Sequence, residues 1–150
     1  MRRGSRVGRA DRLRPVWRIS NRLESAALRH FATSGIALLG RRAVLVLETT
    51  GRRTGRTRRT PVAYWRGDDG ALFIGGGAAG MSRVDWVANL RTHPAAAVWI
   101  DRHRRPVIAT ELTGDAADQA RRHAVSRWPE VARYERSSGR PVPFFRLDET

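Results

Sequence analysis

Apolar and polar positions change their period several times along this chain, and each change marks an element. Val16, Ile19, Leu23, Ala27 and Phe31 recur at helical spacing behind Pro15, which predicts a first amphipathic helix over roughly 16–32. From Ala43 the character turns to β: AVLVLETTG (43–51) is an apolar, β-branched run, and TPVAYW (60–65) resumes it after an arginine-rich turn, the pattern of a long β-hairpin. GDDG (67–70) is turn chemistry, and ALFIG (71–75) predicts a third strand. GGGAAG (75–80) breaks all regularity before SRVDWVANLRTHP (82–94), where Ser82 or Asp85 can cap a short helix that Pro94 ends. AAAVWID (95–101) and RPVIATEL (105–112), joined by RHR, predict a second hairpin. A longer helix follows over about 115–136, interrupted near Pro129, and PVPFFRLDE (141–149) supplies a final strand. With hairpins dominating, this α+β chain should form a largely antiparallel sheet of about six strands, able to curl into a small barrel with helices outside.

Composition narrows the chemistry. The 150 residues suit one domain. Residues 1–15 carry six arginines against one aspartate and little to bury, so they predict a flexible basic arm ahead of a single domain over 16–150. There is no cysteine, and His30, His93, His103 and His123 lack ligand spacing, so neither a disulfide framework nor a metal site is expected. All 29 basic residues are arginine, and the 14 acids leave a net charge of +15. Such an excess attracts phosphates and carboxylates whatever carries them, which leaves nucleic acid, anionic membrane and an acidic cofactor open. No apolar run reaches the ~18 to 20 residues of a membrane span, and the N-terminus lacks a signal-peptide core. A cytoplasmic protein is expected, with the basic arm able to touch the inner face of a membrane.

Three stretches could carry function. Gly75, Gly77 and Gly80 spell G-x-G-x-x-G after a strand, with Asp101 about twenty residues on, but hairpins rather than βαβ units precede them. The alternatives are a loop without a ligand, or glycines that let backbone approach a planar ligand closely. GRRTGRTRRTP (51–61) lacks the spacing of a P-loop. An arginine-rich hairpin tip is often only solvated, yet glycines bracket this one and threonines alternate with guanidiniums, which suits bidentate recognition of phosphate or carboxylate. It has no interleaved aromatics for base stacking, so sequence-specific nucleic-acid binding is not expected. In VDWVANLRTHP, Trp86 and Leu90 fit a core stripe, whereas Asn89 at its edge calls for a specific hydrogen-bond partner. Ser82, Ser126, Ser137 and Ser138 lie in no nucleophile elbow, so a cofactor would carry any chemistry.

LETTGRRTGRTRRTPVAYW (47–65), the glycine-rich loop, DWVANLRTHP, ATELTG and WPEVARYERSSGRPVPFFRLDE resemble, in order and spacing, the deazaflavin-dependent nitroreductase family, the F420-dependent oxidoreductases of actinobacteria. The likeness covers about residues 43–149. It implies a split β-barrel, of the FMN-binding split-barrel type, holding coenzyme F420, an 8-hydroxy-5-deazaflavin with an anionic phosphodiester and oligoglutamate tail. By the family's pattern Arg53, Thr54, Arg58 and Arg59 would hold phosphate and tail, and Thr60, Pro61, Val62 and Ala63 would lie beside the ring. Gly76 and Gly77 would line the ring, and Trp86, Val87, Asn89 and Leu90 would close the pocket. The implied reaction is hydride transfer from the reduced deazaflavin to a hydrophobic, electron-poor acceptor such as a quinone, activated alkene or nitro compound. Relatives commonly have Ser-Lys-Gly-Gly or Ser-Asn-Gly-Gly where this chain has Gly76-Gly77-Ala78-Ala79. Near the acceptor they often place tyrosines at the positions of Trp128, Val131 and Tyr134, of which Tyr134 is retained. The competing readings are a non-catalytic lipid or cofactor carrier on the same barrel, associated with a membrane, and an FMN or haem binder. A monomer or weak dimer is expected.

Overall fold

The computed structural model describes residues 43–76 and 85–150; the expected basic arm, the helix over 16–32, Ser82 and Gly77 lie outside the described residues. Its elements are β1 (Val44–Thr50), β2 (Thr57–Arg66), β3 (Leu72–Gly75), α1 (Asp85–Thr92), β4 (Ala95–Ile100), β5 (His103–Glu111), α2 (Gly114–Arg127), α3 (Glu130–Ser138) and β6 (Phe144–Glu149). The strands close into a barrel in the order β1-β2-β3-β6-β5-β4, and every neighbouring pair is antiparallel. The six strands and outer helices expected from hairpin spacing are therefore present. No parallel pair occurs among them, so Gly75 lacks the βαβ setting that a dinucleotide fingerprint needs.

Alternation along the strands builds two cores. Leu45, Leu47, Val62, Leu72, Ile74, Val98, Val107, Phe145 and Leu147 point into the barrel, where α1 adds Trp86, Val87 and Leu90. The opposite faces of β2, β3 and β6 present Trp65, Phe73 and Phe144 to Ala120 and Ala124 of α2, forming a second cluster outside the barrel. β1 is covered on both sides, with Val44 to Thr49 all buried, which is why its sequence reads as a continuous apolar run rather than an alternating one.

Two boundaries differ from expectation. β2 starts at Thr57, three residues before the apolar run, because Thr57, Arg58 and Arg59 pair with Thr50, Thr49 and Glu48. The arginine-rich stretch is thus half strand, and the tip shrinks to 51–56. The second hairpin closes through Asp101 and Arg102 rather than RHR: Ile100 pairs with His103, and the two turn residues take φ of 50° and 69°. Two successive positive φ values give the turn a twist matching its flanking strands, here without glycine. The expected break at Pro129 is real: α2 ends at Arg127, Trp128 donates its N–H to the Ala124 carbonyl, and α3 starts at Glu130.

Candidate functional site

The hairpin tip is shaped by its glycines. Gly55 takes φ of 65° and donates its N–H to the Gly51 carbonyl at 2.8 Å, while Gly51 donates to the Arg56 carbonyl at 2.8 Å. A Cβ on Gly51 would lie 2.9 Å from the Thr54 hydroxyl and 3.1 Å from the Arg56 carbonyl oxygen, so the turn closes only around glycine. Thr54 uses its hydroxyl within the tip, accepting from the Arg56 N–H at 3.3 Å.

A buried amide fastens this tip to α1. Asn89 is 3% exposed; its Oδ1 accepts from the Arg52 N–H at 3.0 Å and its Nδ2 donates to Thr49 Oγ1 at 3.2 Å. The partner demanded by an amide at a core edge is therefore the hairpin itself. Arg52 also reaches Asp85 in the first turn of α1 at 3.9 Å. Trp86, Val87 and Leu90, expected to close the pocket, turn their side chains into the inner core.

The five arginines of the hairpin divide into two groups. Arg52 serves the α1 junction, and Arg59 donates Nε to Glu48 at 2.7 Å. Glu48 also accepts from Trp99 Nε1 and Arg104 Nε, both at 2.9 Å. Burial pushes its pKa up, but the hydrogen bonds from Trp99, Arg59 and Arg104 outweigh that and hold the carboxyl below its ordinary range. Arg53, Arg56 and Arg58 are exposed, and among the described residues no carboxylate pairs with them. Arg58 stands opposite Thr49, on the strand face toward α1, whereas Arg59 stands opposite Glu48 on the outer face.

The barrel is split along one seam. β2 is ten residues long but pairs with β3 only through Tyr64, Trp65 and Arg66. Thr57–Ala63 pair with β1 alone, so among the described residues their other backbone edge has no strand partner. Tyr64 donates to the Ala43 carbonyl, and the alternation of an antiparallel ladder then turns the backbone groups of Ala63, Pro61 and Arg59 toward the open seam. Pro61, with no N–H to offer, is tolerated there. Thr60 and Val62 face inward and Pro61 and Ala63 outward, so the four residues expected beside a ring share an edge rather than a face.

Gly76 stands where β3 leaves the seam. It donates its N–H to the Pro143 carbonyl at 2.8 Å, and a Cβ there would lie 2.6 Å from Val87 Cγ2 and 2.9 Å from Pro143 Cγ. Glycine at 76 is thus required by close packing between α1 and the segment before β6.

Trp128, Val131 and Tyr134, expected near an acceptor, come together in the outer cluster around Trp65. That indole stacks on Phe73 at 5.4 Å and on His123 at 5.0 Å, and meets Trp128 edge-on at 6.0 Å. Burial, with Arg127 nearby, lowers the pKa of His123. Sequence reasoning missed Glu48, Trp99, Arg104 and His123, since each acquires its partners from a strand or helix distant in the chain. Glu48, an acid inside an apolar run and one residue before the Thr-Thr-Gly-Arg stretch, was the one visible signal.

Among the described residues, a backbone edge without a strand partner and three guanidiniums without an acidic partner therefore share one hairpin. The sequence model of the F420H(2)-dependent quinone reductase family matches residues 20–149. The chain belongs to this family. It is an oxidoreductase that uses coenzyme F420 as its cofactor. Among solved structures, an F420-H2 dependent reductase, FDR-A, is 23% identical with a TM-score of 0.62, the match covering 70% of this chain and 93% of that one. A structure described as a domain-swapped dimer is 22% identical with a TM-score of 0.64, covering 94% of this chain and all of that one. The haem storage protein HutZ from Vibrio cholerae is 17% identical with a TM-score of 0.51, covering 73% and 82%. At these identities the likeness is one of fold, and family membership favours the reductase over a carrier.

Proposed function

We propose that the protein reduces a hydrophobic, electron-poor acceptor, a quinone foremost and otherwise an activated alkene or nitro compound, with Arg53, Arg56 and Arg58 holding the phosphate and carboxylates of the cofactor tail. The observation that carries this reading is the division among the hairpin arginines: two are paired with protein acids, and three are exposed with no carboxylate partner among the described residues. The bound cofactor supplies the hydride. The chain's own contribution is to bind and orient. Guanidiniums grip the tail, the β2 edge at Arg59, Pro61 and Ala63 offers backbone groups to the ring, and Asn89 holds the tip against α1 so that both parts keep their spacing. Trp128, Val131 and Tyr134 form the apolar approach for the acceptor. The arginines of residues 1–15 would bring the enzyme to an anionic membrane surface, where apolar acceptors dissolve. No described helix is long and apolar enough to cross a membrane.

Fluorescence titration with F420, paired with reduction of a quinone by the reduced cofactor, tests the reading. Arg53→Ala and Arg58→Ala should each weaken cofactor binding by ~1.5 to 3 kcal/mol, the worth of a charge-assisted hydrogen bond. Unchanged affinity in both variants would place the tail elsewhere.

A further inference from the structure

The aromatic cluster outside the barrel holds a polar atom without a hydrogen-bond partner. His123 extends from α2 and stacks on the Trp65 indole, with ring centroids 5.0 Å apart and planes 24° apart. Its Nε2 is buried and makes no hydrogen bond among the described residues. Trp65 in turn carries Phe73 at 5.4 Å and Trp128 and Phe144 at 6.0 Å, so the imidazole is part of an aromatic wall. A nitrogen buried in this way gives up its hydrogen bonds to water and gains none in return, which calls for a specific reason. Packing alone would be served as well by phenylalanine.

The nitrogen's place in the fold supplies a reason. Trp65 lies on the outward face of β2, two residues beyond Ala63, whose backbone stands on the open seam. The stack therefore begins ~7 Å along the strand from the edge proposed for the ring. Trp128, Val131 and Tyr134 pack on the same cluster and are only partly buried. An acceptor passing them meets the Trp65–His123 stack, a flat apolar wall with a hydrogen-bonding group in it. Quinones, nitro compounds and carbonyl-activated alkenes share what such a wall recognises: an apolar body and an oxygen that accepts a hydrogen bond. Burial, with the Arg127 charge nearby, holds His123 below the ordinary histidine pKa, so near neutral pH the ring is uncharged and carries one N–H.

We propose that His123 is a further acceptor-site residue, its Nε2–H donating to the acceptor oxygen on which negative charge develops during reduction. The assignment rests on the reading that the acceptor enters past Trp128, Val131 and Tyr134. The acceptor gains a hydride with both electrons of the broken cofactor C–H bond, so the cofactor is oxidised and the acceptor reduced by two electrons. The charge appears on the acceptor oxygen, solvent supplies the proton that completes the product, and the imidazole keeps its own. A donor already fixed in an apolar wall stabilises that charge without having to reorient.

Two probes separate recognition of the oxygen from stacking: menadione, a naphthoquinone, and 2-methylnaphthalene, which keeps the rings without the oxygens. Binding of each to the whole chain is measured by equilibrium dialysis, and menadione reduction is followed with reduced F420. His123→Phe keeps a ring against Trp65 and removes the nitrogen. It should raise the Kd for menadione about threefold to tenfold, the worth of one neutral hydrogen bond, and leave that for 2-methylnaphthalene unchanged. The kcat for menadione should fall by more than KM rises, because the bond strengthens as charge develops. His123→Gln, which restores an N–H at the end of the side chain, should recover part of both effects. The ratio of the two Kd values is not moved by a smaller folded fraction, and F420 titration confirms the fold of each variant. An equal loss of both probes would assign the effect to shape and overturn the hydrogen bond. If His123→Phe keeps the wild-type ratio and turnover, His123 only packs the flank and the acceptor reading stands. If wild type reduces menadione but Trp128→Ala and Tyr134→Ala bind it as wild type does, the acceptor enters elsewhere and both readings fall.

Discussion

The hairpin end of the barrel and its helix-covered outer flank are held by different forces. At the hairpin, buried polar groups make directional bonds: Asn89 grips Arg52 and Thr49, and Glu48 collects Arg59, Trp99 and Arg104. On the flank, Trp65 sits among Phe73, His123, Trp128 and Phe144 with α2 and α3 packed over it. A hydrogen bond specifies an orientation, while ring packing specifies mainly a volume. The arginines proposed for the cofactor tail extend from the directional region, and the residues proposed for the acceptor lie in the packed one. A multiply charged tail rewards fixed geometry, whereas a pocket of aromatic walls admits acceptors of varied shape.

The largest expected effect tests the packed side. Trp65→Ala should destabilise the fold by about 3 to 5 kcal/mol, read from denaturant unfolding, through lost burial and the cavity left behind. F420 affinity per folded molecule should stay close to wild type. A large loss of affinity would mean that the two regions are not separable.

Asn89→Ala is the sharper probe of the directional side. It strands the buried Thr49 hydroxyl and the Arg52 N–H at the edge of the site, costing about 1 to 3 kcal/mol in stability. Unlike Trp65→Ala, it should also weaken F420 binding, because the tip loses its register against α1. Equal affinity in this variant and wild type would reduce Asn89 to a stability role.

The smallest effect is one of pH. The Glu48 carboxyl titrates below its ordinary range in the folded protein, since the bonds from Trp99, Arg59 and Arg104 overcome burial. Its contribution to stability is therefore complete above the unfolded carboxylate value and lost as pH falls through the lower folded one. The Tm difference between wild type and Glu48→Gln should shrink on acidification through that window. A difference constant with pH would show that packing, not charge, holds the outer network.

Much of the architecture was legible because burial leaves a period. The apolar run at Val44–Leu47, the turn at 67–70 and the stripe of Trp86 and Leu90 each announced an element that exists. The start of β2 was not legible: Thr57, Arg58 and Arg59 look like a loop, and become strand only because Thr50, Thr49 and Glu48 lie opposite. Nor was the packing at Gly76 legible, since Val87 and Pro143 crowd it from elements far apart in the chain.

By itself the sequence determined the hairpin-rich antiparallel class, the anion-seeking charge at 52–59 and the family, since periodicity, composition and motif spacing are local properties of a chain. Only the tertiary structure decided which arginines are paired with acids and which are left exposed without one. That choice depends on strand register, which turns Arg59 toward Glu48 and Arg58 to the opposite face, and on the arrival of Arg104 and Trp99 from strands some fifty residues away. A guanidinium's role follows from the nearest carboxylate, and proximity across a barrel is not written in adjacent residues.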